Sequence, residues 1–304
     1  MNIQWYPGHM TKARRAMEED VKLVDLVIEL VDARAPFSSR NPDIDQLAKG
    51  KARMVLLNKA DLADGESCAR WTRWFEDQGI CVVKIDARNR GTLKAVQAKV
   101  GEACREKIER DRRRGILNRP IRAMVVGIPN VGKSTFINSF AGKASAKTGN
   151  RPGVTKGNQW IRLNKTLELL DTPGILWPRF EDQQAGLRLA LIGSINDEIL
   201  NKEELAAELI GFLKQTFPRA LKERYGLEEQ EDAYCCLEEI ARKRSCLAKG
   251  GQPDLPRAAA LLLDDFRSGR LGAITLEQPK DLPGSQGEGE EKTGSREEAS
   301  DGRA

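Results

Sequence analysis

The stretch "IRAMVVGIPNVGKSTF" (121–136) constrains this chain more than any other. It contains Gly127-x-x-x-x-Gly132-Lys133-Ser134, directly behind an apolar run and ahead of a helix-like segment. Strand, glycine loop and helix in that order form a cradle for phosphate groups. The glycines let backbone N–H groups curl around an anion, and the helix N-terminus adds its dipole. Asn130, Val131, Gly132, Lys133, Ser134 and Thr135 are the expected phosphate contacts. The Lys133 ammonium reaches the β- and γ-oxygens, and the Ser134 hydroxyl suits Mg²⁺.

The phosphate loop follows one of five short runs of β type. They span 26–31, 53–57, 80–85, 121–126 and 166–170, and each ends in a polar or glycine-containing turn. Mostly apolar runs of this length read as buried parallel strands. Helix-like segments at 11–23, 66–78, 92–113 and 134–140 separate several of them. The alternation predicts an α/β fold with a mostly parallel, doubly wound sheet and ligands at the carboxyl ends of its strands. Beyond about residue 177 the strand signal nearly stops. Segments 183–194, 202–215, 218–225, 231–247 and 254–268 read as helices. The expected organisation is a nucleotide-binding domain over 1–178, a small all-helical domain over 179–278, and a disordered acidic tail over 279–304.

"LLNKAD" supplies Asn58-Lys59-x-Asp61 behind a strand. The Asp61 carboxylate suits the N1–H and 2-amino donors of guanine. Adenine lacks that donor pair and would leave the carboxylate unpaired, so the contact selects strongly. Asn58 is expected to tie the loop together, with the Lys59 stem along the base. "DAR" at 86–88 follows the next strand, where Asp86 starts a turn and the Ala87 N–H suits guanine O6. "DTPG" supplies Asp171 for the Mg²⁺ side and the Gly174 N–H for the γ-phosphate. Thr155 in "RPGVT" is the expected second Mg²⁺ hydroxyl. These motifs run in an unusual order. In a Ras-like GTPase the phosphate loop leads and the guanine motifs close the chain, whereas here 58–61 and 86–87 come first. The order predicts a circular permutation cut just after "DTPG".

The motifs resemble those of the circularly permuted GTPases of ribosome assembly, most closely the ribosome biogenesis GTPase A (YlqF) family. "WYPGHM", "VDARAPFSSRNP", "NKAD", "GIPNVGKST", "PGVT", "DTPGIL" and "GGQPDLPRAAALLLDDFRSGRLGAITLE" carry the likeness over nearly all of 1–278. The resemblance implies a P-loop GTPase that acts late in maturation of the large ribosomal subunit. It implies rRNA binding through the helical domain, release after hydrolysis, and stimulation by the ribosome. Two other classes of function are left open, a GTP-dependent RNA-binding switch with negligible turnover and a protein-partner regulator with no RNA role.

His9 is the only histidine. Taken alone it reads as a surface residue of a terminus. The residue after the "DTPG" glycine is Ile175, which cannot orient water, and the family has a catalytic His at the position of His9. Together they make His9 and Lys133 the catalytic candidates. The sequence G-x-P-N-x-G-K-S is similar to loops of potassium-stimulated GTPases, so Asn130 is a K⁺ candidate as well as a loop-stabilising one. The implied cofactors are GTP, Mg²⁺ and K⁺.

The formal charge of +5 hides an asymmetry. Residues 281–304 hold seven acids and three bases, a net −4, which leaves +9 on residues 1–280. A basic body suits a polyanion. Basic candidates are Lys12, Arg14, Arg15, Arg110–Arg114, Arg242–Arg244, Arg257, Arg267 and Arg270, though charge runs are commonly solvated faces. Six cysteines without CxxC spacing argue against zinc and for reduced thiols. Apolar runs are too short for a membrane span. A cytoplasmic monomer without membrane contact is expected.

Overall fold

The computed structural model describes residue 15 and residues 17–117, 119–141, 159–172, 182–227 and 232–282. Six strands, β1 Leu26–Asp32, β2 Ala52–Asn58, β3 Cys81–Lys84, β4 Ile121–Val126, β5 Gln159–Arg162 and β6 Leu167–Asp171, form one sheet in the order β3-β2-β1-β4-β6-β5. All neighbours pair in parallel except β5, which runs antiparallel to β6. The fold class expected from the sequence is therefore present, a mostly parallel α/β sheet followed by helices. β1 is buried along its whole length, as a central strand covered on both faces must be.

The pleat divides β2 between two cores. Met54 and Leu56 face the larger core, and Val55 and Leu57 face a smaller one built on Trp71 and Phe75. Helices Gly65–Glu76 and Arg90–Ala103 cover the β2–β3 half. The larger core continues without a break into the C-terminal helices through Leu189, Leu205, Leu209 and Phe266. Helices Lys202–Thr216, Ala233–Lys243 and Leu255–Arg267 pack on one another there. Among the described residues no helix is long and apolar enough to cross a membrane.

Two expectations change. β5 is a sixth strand; at four residues with only Trp160 and Ile161 apolar, an edge strand leaves little pattern in a sequence. The single helix expected over 92–113 is two, broken at buried Cys104, with no fully buried residue in Arg105–Arg113. Apolar residues at 96, 100, 104 and 108 keep helical spacing across the break, so the periodicity conceals it.

The last described segment returns to the sheet domain. Leu276 N donates to Arg34 O at 2.7 Å, Ile274 N to Leu62 O at 3.1 Å, and Trp71 Nε1 to Glu277 O at 3.0 Å. The buried Glu277 carboxylate accepts from Phe37 N, Ser38 N, Ser38 Oγ and Arg188 Nη1. Pro279–Asp281 adds one 3-10 turn, so order extends into the start of the segment expected to be disordered. Residues 283–304 lie outside the described residues.

Candidate functional site

The phosphate loop leaves the carboxyl end of β4 and enters helix Lys133–Ala141. Gly132 has φ +101°, and a Cβ there would stand 2.4 Å from Asn58 Nδ2. Only glycine fits this position. Asn130 takes the left-handed conformation at φ 59°, which Asn tolerates better than most residues. Lys133 is buried, and its ammonium donates to Gly127 O at 3.0 Å and Ile128 O at 3.3 Å. The ammonium thus folds back over its own loop and anchors it. Burial pushes the Lys133 pKa down to about 8, against the opposing pull of Asp171. Ser134 and Thr135 are half-buried in the first helical turn.

The second loop comes from the ends of β2 and β3. Asn58 Nδ2 donates to Val131 O at 2.7 Å, and Asn58 Oδ1 accepts from Ala87 N at 3.0 Å. One buried amide thus joins the "NKAD", "DAR" and phosphate loops. Lys59, left-handed at φ 59°, sends its ammonium to Asp32 Oδ2 at 2.8 Å and Asn130 O at 3.1 Å. Asp61 stands in the turn Ala60–Leu62, and its Oδ2 accepts from Arg88 Nη2 at 2.6 Å. Arg88 Nε also reaches Asp86 Oδ1 at 3.0 Å. The Asp61 carboxylate is 34% exposed and Arg88 67% exposed, so water screens the pair and a ligand can compete for Asp61.

Asp171 ends β6 beside this loop. Its Oδ1 is buried and accepts no hydrogen bond from any described residue. Burial raises its pKa, and Lys133 opposes the shift. A buried carboxylate oxygen without a donor, close enough to Lys133 to feel its charge, fits a divalent cation. Thr172 Oγ1 fastens the following residue to Val125 O at 2.8 Å. Gly174, Thr155 and His9 lie outside the described residues.

Sequence reasoning assigned no role to Asp32 or Arg34, although both lie in the quoted "VDARAPFSSRNP". Asp32 is fully buried between the Arg34 guanidinium, at 2.8 and 2.9 Å, and the Lys59 ammonium. Burial alone would raise its pKa, but Arg34 and Lys59 outweigh it and hold the carboxyl well below the usual carboxylate range. Arg34 Nη1 goes on to Arg267 O at 3.2 Å. Arg267 in turn donates to Ala190 O and Leu191 O and pairs with Asp197 at 2.7 Å. The Asn58–Lys59 loop is thereby connected to the C-terminal helices.

Comparison with known proteins agrees with this geometry. Residues 122–231 match the family described as 50S ribosome-binding GTPase. The chain is 49% identical over 293 residues to ribosome biogenesis GTPase A of Bacillus cereus, covering 96% of this chain and 99% of that one. The chain belongs to the ribosome biogenesis GTPase A family. It is a GTPase of that family. A GDP-bound structure of YlqF superposes with a TM-score of 0.65 at 30% identity, over 88% of this chain and all of that one. GNP-bound YlqF from T. maritima gives 0.64 at 30% identity, over 89% and 100%. The family match begins at β4, so Asn58 and Asp61 stand upstream of it, as the order of the motifs requires.

Proposed function

We propose that this ribosome biogenesis GTPase binds GTP in the cradle joined by Asn58 and hydrolyses it in late maturation of the large ribosomal subunit. The observation that carries this is the pair of hydrogen bonds from one side chain, Asn58, to Val131 of the phosphate loop and Ala87 of the base-side loop. Two loops over seventy residues apart become one site. Asp61 reads the guanine 2-amino and N1–H groups, giving up Arg88 as it does so. Lys133 moves from its own loop carbonyls to the β- and γ-phosphates. Asp171, Ser134 and Thr155 hold Mg²⁺, which supplies positive charge to the phosphates when bound. Asn130 serves K⁺, Gly174 reports the γ-phosphate, and His9 orients the attacking water.

The strand order supports a circular permutation. Joining the end of β6 to the start of β1 would give a chain that opens on the phosphate loop and closes on the guanine loops, with the same sheet. The partner is the large-subunit precursor and its rRNA, reached by a cytoplasmic monomer. The relatives' names and the basic body of the chain support that partner.

The test is GTP turnover with and without large ribosomal subunits, in KCl and in NaCl. Strong stimulation by subunits, greater in K⁺, is expected. RNA binding with flat turnover would favour the GTP-dependent switch, and equal rates in the two salts would remove the K⁺ role of Asn130. Asp61→Asn should abolish the preference for GTP over ATP; an untouched preference would sink the guanine reading.

A further inference from the structure

The structure separates the basic residues into those already engaged and those left to meet a partner. Arg267 and Arg270 are held by Asp197, Asp264 and Asp265. Arg242 pairs with Glu238, Lys243 with Glu239, and Arg244 donates to Arg224 O at 2.6 Å. Five of the six basic candidates in the helical domain are therefore engaged within its own fold, Arg242 in an exposed pair, and exposed Arg257 is the exception. Arg110, Arg112, Arg113 and Arg114 differ. All four are exposed, and none has an ion pair or hydrogen-bond partner for its side chain among the described residues. Four guanidiniums within five residues repel one another, and Glu106, Glu109 and Asp111 on the same helix offset that only in part.

Their position is also distinctive. Helix Arg105–Arg113 ends just before β4 begins, whereas the phosphate loop begins where β4 ends. Six strand residues, roughly 20 Å, separate the two. The starts of the strands meet at this far end. Ile121 N donates to Thr166 O at 2.8 Å, Asp25 N to Arg122 O at 2.7 Å, and Ala52 N to Asp25 O at 3.2 Å. The same rim therefore carries exposed Lys49 ahead of β2 and exposed Lys165 ahead of β6. Of its acids, Asp25 is paired with Lys107 and Arg119, Asp111 with Lys107, and Glu168 with Arg122, while exposed Glu106 and Glu109 stand on the helix itself. Residues 105–122 alone hold eight bases and three acids. Tertiary structure thus gathers cations from separate segments at one end of the sheet and pairs three of the acids beside them.

We propose that this rim, built on Arg110, Arg112, Arg113 and Arg114 with Lys49 and Lys165, is an RNA-phosphate docking surface distinct from the helical domain. The proposal rests on the rRNA partner inferred above. Arginine is suited to it, because the planar guanidinium pairs with phosphate in bidentate fashion. The edge of the same sheet adds a stacking surface. Trp160 is 42% exposed, with the Arg122 guanidinium 5.3 Å from its ring centroid. Unpaired bases stack on such aromatic and guanidinium planes. The arginine cluster lies at the end of the sheet away from the phosphate loop, whereas Trp160 is in register with Leu170, so the surface runs from that rim along the sheet edge.

Binding of the full chain to naked large-subunit rRNA, measured across KCl concentrations, tests this. For R110A/R112A/R113A/R114A the slope of log K against log salt should become shallower by about 3, since each lost phosphate contact removes about 0.7–0.9. Affinity at 0.1 M salt should fall at least tenfold. The matching quadruple lysine variant should retain most of the wild-type slope. GDP affinity and RNA-free turnover should not change, which also shows that the variants are folded. An unchanged slope in the alanine variant, with the wild type binding normally, overturns the docking surface alone. A wild-type protein that shows no salt-dependent binding to rRNA overturns the RNA reading and this surface with it.

Discussion

Asn130 of the phosphate loop donates its side-chain amide to the Gly193 carbonyl at 2.9 Å, across 63 residues of sequence. Gly193 lies just beyond helix Gln183–Leu191, the first helix of the C-terminal region. A residue of the phosphate loop therefore touches the helices directly. Together with Lys59–Asp32–Arg34–Arg267, this gives the nucleotide site two routes to the helical region besides the covalent one.

Asn130→Gly separates conformation from contact. Glycine adopts the left-handed backbone at no cost but lacks the amide. GDP affinity should stay within a few fold of wild type. The ratio of rRNA affinities with GTP analogue and with GDP should move towards one. A ratio equal to the wild-type value would mean that the Gly193 contact carries no coupling.

Asn58→Ala leaves the Val131 carbonyl and the Ala87 N–H buried without partners. Two such groups cost about 2–4 kcal/mol together. Urea unfolding should show a loss of that size, with nucleotide binding lost below it. A change under about 0.5 kcal/mol would show that the loops stand without this amide.

Asp32→Asn should cost about 3 kcal/mol at neutral pH, because it leaves the buried Arg34 without its counter-ion. The folded-state pKa of Asp32 lies below the unfolded value of about 3.9, so its stabilisation is present above that pH and is lost as pH falls towards the folded value. The gap between wild type and variant should be constant from pH 7 to 5 and narrow below about pH 4. Denaturation curves at stepped pH would show whether it does.

Lys133 predicts a pH dependence of binding. Its pKa is about 8 in the free protein, and a phosphate ligand favours the charged form and raises it. Affinity for GDP should be level below pH 7 and decline as pH rises through 8. Calorimetry in buffers of different ionisation enthalpy should register proton uptake near pH 8. Flat affinity to pH 9.5 would mean that the ammonium is fully charged before the ligand arrives.

His9→Ala should lower turnover well over tenfold and leave nucleotide affinity nearly intact, as a water-orienting group requires. Parallel loss of both would point to a structural role instead.

Much of the candidate site could be proposed from the chain because the features concerned are local. A run such as Ile121–Val126 has to be buried, and glycine and lysine at fixed offsets behind it have one common use. The same holds for Asn58 and Asp61 behind β2. Each inference needs only residues a few positions apart, and β5 was missed because four residues at an edge carry too little pattern. What the local signals could not convey was partnership at a distance. Nothing in the order of residues says that Asp32 neutralises Lys59, that Asn130 meets Gly193, or that Arg267 is held by Asp197 while Arg110–Arg114 face solvent. Those pairings depend on strand register and on how the helices seat against the sheet. Charge composition made the body of the chain basic; packing decided which of its cations remain available to a partner.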